Sequence, residues 1–351
     1  MPAMTDVPHV SVPASADKAV RARPLVAGWL FASAFMVAAM IVIGGITRLT
    51  ESGLSMVEWR PLIGWIPPLG EAEWQRVWEM YQATPEYRNV NFWMGIDDFK
   101  TIFFWEYVHR VWGRLIGVVY ALPFFVLLAT ERIERALLPR LVLLLVLGGL
   151  QGAIGWWMVT SGLADEARVS PYRLATHLSM AFLILGLLLW TALGLVQRPA
   201  GGTKGQRIGA GHVLAAVAIT VLLGAFVAGT DAGYAYNTFP LMDGRFVPYG
   251  YWDMGWRSAF EHVPSVQFHH RWVAIATAVL ALAFVLRHRG RVDDTARLAL
   301  TVLGVAVVAQ VGLGIAALLA VVPVWLGALH QFGAVVLFSA AVWVRYLLRQ
   351  A

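Results

Sequence analysis

Cysteine is absent from the 351 residues. That one omission excludes disulfides, thiolate metal sites and covalent c-type haem attachment together. Charge is scarce as well: 14% of the residues are Asp, Glu, Lys or Arg, where a soluble domain has roughly a quarter. The apolar–polar alternation of a membrane β-barrel is also missing. The chain is instead 59% hydrophobic, and its apolar residues gather in runs of about 20, each able to cross a hydrocarbon core. The fold class is an all-α, multi-pass membrane protein.

Eight spans are expected: Leu25 to Ile46, Val108 to Ala129, Leu138 to Met158, Leu174 to Val196, Ile208 to Ala228, Phe268 to Leu286, Leu298 to Val321 and Val324 to Leu347. Pro323 marks a tight turn between the last two. Basic residues orient the spans. Lys18, Arg21 and Arg23 precede the first, Arg132, Arg135 and Arg140 follow the second, and Arg198, Lys204 and Arg207 follow the fourth. Arg287, Arg289, Arg291 and Arg297 follow the sixth, and Arg345 and Arg349 end the chain. Both termini are therefore expected in the cytoplasm, with the larger loops outside. The net charge of +6 reads as this bias and not as a nucleic-acid surface. Residues 1–24 read as a mobile cytoplasmic tail. They do not read as a cleavable signal, because a full span follows them.

The sequence repeats itself. "TESG" at Thr50 returns as "TDAG" at Thr230, and "RPLIG" at Arg60 as "FPLMDG" at Phe239. "EYVHR" at Glu106 returns as "QFHHR" at Gln267, "QGAIG" at Gln151 as "QVGLG" at Gln310, and "LATHLSMA" at Leu174 as "GALHQFGA" at Gly327. Five echoes in one order, with four spans on each side, predict a parallel repeat. The halves are expected at residues 25–200 and 201–351, as two pseudo-symmetric four-helix bundles, each able to hold a ligand in its core.

Four of the nine histidines stand at matched places: His109, His177, His270 and His330. Each lies near the outer start of an even-numbered span, so the two in each half share a depth on different helices. Two imidazoles facing across a bundle suit a flat iron macrocycle, and a non-covalent haem needs no cysteine. Zinc fits less well, because each half offers too few further ligands. His269 adjoins His270, but neighbouring helical residues point about 100° apart, so His269 is not expected to share the ligand role. Arg110 and Arg271 follow two of these histidines at the outer interface. Their guanidinium forks suit haem propionates, and Arg48 is a weaker candidate of the same kind.

The halves differ at one position. Glu106 precedes His109 by three residues on one helix face, and its counterpart is Gln267. A carboxylate exchanges protons or stabilises positive charge, and an amide does neither. If both halves bind similar cofactors, chemistry belongs to the half with Glu106 and electron carriage to the other. The first outer loop is rich in tryptophan, and Glu71 to Gln82 has the spacing of an amphipathic helix lying on the membrane surface, a candidate lid.

At "GGITRLTESGLSM", "EYVHRVWGRLIG", "YRLATHLS", "NTFPLMDGR", "HRW" and "LHQFG" the chain resembles the haem A synthase family, from about Leu25 to the carboxyl end. The resemblance implies two pseudo-symmetric bundles. The second holds a haem b cofactor between His270 and His330, and the first takes the substrate haem between His109 and His177, with Glu106 as the catalytic glutamate. It implies oxidation of the C8 methyl of haem O to a formyl group by two successive hydroxylations, for cytochrome oxidase assembly. The implied partners are the haem O-forming farnesyltransferase and an electron donor; apart from the resemblance, membrane lipid and a second copy of the chain are candidate partners. One branch of the family carries a cysteine pair in the first outer loop. This chain is similar to the cysteine-free branch, and its tail points to a bacterial inner membrane. The competing reading from the residues alone is a bis-histidine diheme electron carrier of cytochrome b type. A transporter with parallel repeats would explain the symmetry but not the paired histidines.

Overall fold

A computed structural model describes residues 14–60, 63–164 and 167–350. Its α-helices are, in order, α1 (Ala14–Arg21), α2 (Arg23–Leu49), α3 (Glu71–Gln82), α4 (Ile96–Ala129), α5 (Leu138–Leu163), α6 (Pro171–Val196), α7 (Lys204–Gly229), α8 (Ser258–Glu261), α9 (Val263–His288), α10 (Asp294–Leu319) and α11 (Val324–Leu347). Eight of them, α2, α4 to α7 and α9 to α11, are long and apolar enough to cross a membrane. No strand occurs among the described residues. Helices of this length bond their own backbone groups internally, which hydrocarbon demands.

Two expectations need correction. The tail is partly structured, because Ala14–Arg21 is helical; residues 1–13, His9 among them, lie outside the described residues. The helix that carries the second span begins at Ile96, well before Val108. Asp97, Asp98 and Lys100 dilute the hydropathy there, yet they suit a helix start. The Gly95 N–H donates to Asp98 Oδ2 at 3.0 Å, and acids in a first turn complement the helix dipole.

That extension changes the reading of α3. Its apolar face was expected on lipid. Trp78 and Tyr81 are instead buried against Phe99, Ile102 and Phe103 of α4, with Trp74 and Val77 alongside. The Trp74 and Phe103 rings meet edge to face at 5.1 Å. Burial of two large aromatic side chains favours this packing by several kcal/mol, on the order of 25 cal/mol per Å² of apolar surface.

The spans close into two cycles of neighbours. α2 touches α4 and α6, and α5 touches both of those; α7 touches α9 and α11, and α10 touches both of those. Between cycles, α6 meets α7 and α11, and α2 meets α11. Exchanging α2, α4, α5 and α6 for α7, α9, α10 and α11 returns the same neighbour relations. The core common to both cycles lies along α6 and α11, where Phe182 and Phe338 pack edge to face at 5.2 Å. The echoed "TESG" and "TDAG" end α2 and α7 alike. Thr50 Oγ1 donates to the Ile46 carbonyl at 2.9 Å and Thr230 Oγ1 to the Phe226 carbonyl at 2.8 Å. The acids that follow, Glu51 and Asp231, take left-handed backbone conformations at φ 51° and 56°.

Candidate functional site

Each of the four histidines meets a glycine on the neighbouring odd-numbered span of its own cycle. A methyl group added at Gly44 of α2 would stand 3.0 Å from Cε1 of His109, and one at Gly155 of α5 would stand 2.9 Å from Cε1 of His177. In the second cycle the distances are 3.1 Å from Gly224 of α7 to His270 and 2.9 Å from Gly314 of α10 to His330. The imidazole edges thus rest where only a hydrogen-bearing Cα leaves room. Within each pair the two rings lie in electrostatic range of each other. Nδ1 of His109, of His177 and of His270 is buried without a hydrogen-bond partner among the described residues.

Two glutamines steady the even spans at the same depth. Gln151 Nε2 donates to the His177 carbonyl at 3.0 Å, and Gln310 Nε2 to the His330 carbonyl at 3.1 Å. Both lie one helical turn before the glycine that faces the imidazole. These residues were visible in the sequence only as the echo of "QGAIG" in "QVGLG". Nothing in their identity gave them a role, because glycine is common in membrane helices.

Beside the first histidine of each half stands a clasp on the outer loop. In the first half Arg110 donates from Nε to Glu106 Oε1 at 3.0 Å and from Nη2 to the same oxygen at 2.6 Å. It also donates to the carbonyls of Met56 at 2.6 Å and Glu58 at 2.7 Å. Glu106 Oε2 accepts from Ser55 Oγ at 2.7 Å and from the Met56 N–H at 2.6 Å. In the second half Arg271 donates to the carbonyls of Tyr236, Pro240 and Leu241 at 2.9 to 3.1 Å. It also reaches Gln267 Oε1 at 3.4 Å, and Gln267 Nε2 donates to the Tyr236 carbonyl at 3.1 Å. Glu106, Gln267 and Arg271 are buried.

The remaining candidates lie elsewhere. Arg48, at the end of α2, pairs with Asp231 beyond α7 at 2.6 Å, so it ties the cycles together. His269 is turned to the second outer loop, where its Nε2 meets the Tyr251 hydroxyl at 2.6 Å. Trp59 of the first outer loop stacks on Trp156 of α5 at 5.3 Å, beside Gly155. A cavity of about 360 Å³ lies under that loop, with Arg110, Arg114, Tyr107 and Glu58 in its wall and none of the four histidines.

Fold and site together define a polytopic helical membrane protein with two similarly built histidine pairs, one of them beside a clasped carboxylate. Comparison with known proteins agrees. The family described as "Cytochrome oxidase assembly protein" matches residues 27–342. The heme A synthase of Granulibacter bethesdensis is 51% identical over 335 residues, covering 94% of this chain and 89% of that one. The heme A synthase of Paramagnetospirillum magneticum is 48% identical over 91% of this chain and 92% of its own, and that of Nitrosospira multiformis 44% identical over 97% and 98%. The chain belongs to this cytochrome oxidase assembly family, which includes the heme A synthases.

Proposed function

We propose that the protein acts as a haem A synthase, oxidising the C8 methyl of haem O to a formyl group by two successive hydroxylations. The two cycles serve as pseudo-symmetric bundles, residues 25–200 taking the substrate and residues 201–351 the cofactor. His109 and His177 hold haem O; His270 and His330 hold haem b. Neutral imidazole is a good donor to iron, and each ring is seated by its close contact with the facing glycine. Among the described residues no group of three or more His, Cys, Asp or Glu converges. Two imidazoles suffice where a macrocycle supplies the other four donors.

Haem b, when bound, supplies a one-electron redox centre. The chain's own contribution is orientation and charge. Ser55, Met56 and Arg110 fix both oxygens of Glu106 one turn before His109, which sets a carboxylate at the edge of the substrate position. There it can take up a proton or stabilise positive charge as the methyl is oxidised. Arg110 and Arg271 also sit where propionates would reach the outer loops. The observation that carries this reading is the unequal pair: the clasp beside His109 contains a carboxylate, the one beside His270 an amide.

Localisation follows the basic residues, with both termini in the cytoplasm of a bacterium and the clasped loops outside the inner membrane. The partners proposed are a haem O-forming farnesyltransferase and an electron donor. Expression beside a haem O source, followed by pigment extraction, tests the activity: a formyl-bearing haem is expected. Unchanged haem O with b-type spectra would support the diheme carrier instead.

A further inference from the structure

At the other end of the molecule, the start of α7 and the last turn of α11 enclose an open recess of about 440 Å³. Arg207, His212, Arg345 and Arg349 stand in its wall, with no acidic residue. Arg207 and Gly211 lie one turn apart on α7, and Arg345 packs across Gly211, its Nε 3.7 Å from where a methyl group there would be. Arg349 is held in place: it donates to the Tyr346 hydroxyl at 3.1 Å and lies over the Tyr346 and Trp190 rings at 4.2 and 5.5 Å.

None of the three arginines forms an ion pair among the described residues, and Arg345 Nη1 and Arg349 Nε are buried without a hydrogen-bond partner. Buried guanidinium N–H groups without acceptors are costly. Capping of α11 does not account for them. The Leu347 carbonyl already accepts the N–H groups of Ala200 and Gly201 at 2.9 and 3.3 Å, and the Tyr346 hydroxyl donates to the Gln197 carbonyl at 2.7 Å. The side chains of Arg207, Arg345 and Arg349 in the wall are half-buried and face no acid, so their other N–H groups are what the recess offers to an anion from outside the chain. Planar forks of this kind suit phosphate oxygens.

We propose that this recess binds the phosphodiester headgroup of an anionic phospholipid of the adjoining leaflet. It lies at the ends of two membrane spans, and Ile208, 48% exposed at its rim, gives an acyl chain an apolar wall. A basic pocket between spans on the side rich in Lys and Arg has the electrostatics for this ligand. The proposal does not depend on the haem reading.

Native mass spectrometry of the purified full-length protein, titrated with dioleoylphosphatidylglycerol or dioleoylphosphatidylcholine, tests it. The wild-type protein is expected to retain one phosphatidylglycerol in preference to phosphatidylcholine. Arg207→Gln and Arg345→Gln should each weaken that preference about five-fold, the effect of one cation near a lipid headgroup. Equal retention of the two lipids by the wild-type protein overturns the proposal without reference to any variant. So does unchanged preference in the double variant. Displacement by inorganic phosphate at the lipid's own concentration would assign the recess to free phosphate and overturn the lipid as its occupant.

Discussion

Glu106 and Gln267 occupy one station in two matched clasps, each four residues before an arginine that holds the outer loop of its half. The amide shows that the clasp itself does not require a negative charge. Glu106→Gln should therefore fold, keep the Arg110 contacts and retain haem, while haem A formation falls by about 10²-fold or more, the usual contribution of a positioned acid or base. Gln267→Glu should leave turnover near wild type. Pigment extraction and haem content measured on the same samples check both. Full turnover by Glu106→Gln would remove the carboxylate from the chemistry.

The glycines facing the imidazoles give a second prediction, separated by half. Gly314→Ala would bring Cβ to 2.9 Å from His330 Cε1, closer than carbon atoms pack. The ring must shift, at a cost of about 1–3 kcal/mol as for other overpacked sites. Haem b content should fall in this variant and in Gly224→Ala. Gly155→Ala crowds His177 in the same way, so it should spare haem b and weaken retention of haem O. Reduced-minus-oxidised spectra of the purified proteins separate these outcomes. Wild-type haem b in both second-half variants would show that His270 and His330 are not its ligands.

Much of this arrangement was legible in the sequence, for physical reasons that differ by element. Membrane spans declare themselves because hydrocarbon tolerates little charge, and His109, His177, His270 and His330 stand out because ionisable groups are rare in such runs. Asp97, Asp98 and Lys100 hid the first three turns of α4, since hydropathy measures lipid exposure and not helix length. The aromatic face of α3 reads as amphipathic whether lipid or protein covers it, so its packing on Phe99 and Phe103 could not be read. Contacts between halves were invisible for another reason. Arg48 and Asp231 are 183 residues apart, and no local pattern pairs them.

Glu86 supplies a pH dependence outside the membrane. Its carboxyl is buried behind α3, accepting from the Tyr81 hydroxyl at 3.0 Å, and Asn91 Nδ2 donates to that hydroxyl at 2.8 Å. Burial pushes its pKa up to about 8 from an ordinary 4.5; the Tyr81 hydrogen bond and the Arg48 charge oppose this, and the Glu106 and Glu51 charges add to it. Between those values the folded state holds a proton that the unfolded chain has lost. The associated stability is fully present below the unfolded value and is lost as pH rises through about 8. Thermal unfolding followed by tryptophan fluorescence should thus show the wild type weakening from about pH 5 to about pH 9, by an amount on the order of a few kcal/mol. Glu86→Gln should flatten the profile and be the more stable protein at the alkaline end. Coincident profiles would place the proton elsewhere.

Arg271 offers the last prediction, because it alone among the described side chains holds three carbonyls of the second outer loop: Tyr236, Pro240 and Leu241. Hydrogen bonds from a charged donor contribute about 1.5–3 kcal/mol each when buried, so Arg271→Ala should release this loop without unfolding the spans. Arg245 is exposed within it, stacked over Tyr249 at 4.0 Å, which makes tryptic cleavage there a direct readout. Cleavage should speed up by at least about ten-fold, since 1.4 kcal/mol is a factor of ten in the open population. Arg271→Lys keeps the charge but cannot span three carbonyls, and should fall between the two. If Arg271→Ala resists trypsin as well as the wild type, the loop is held by other contacts and the arginine is free to serve a propionate alone.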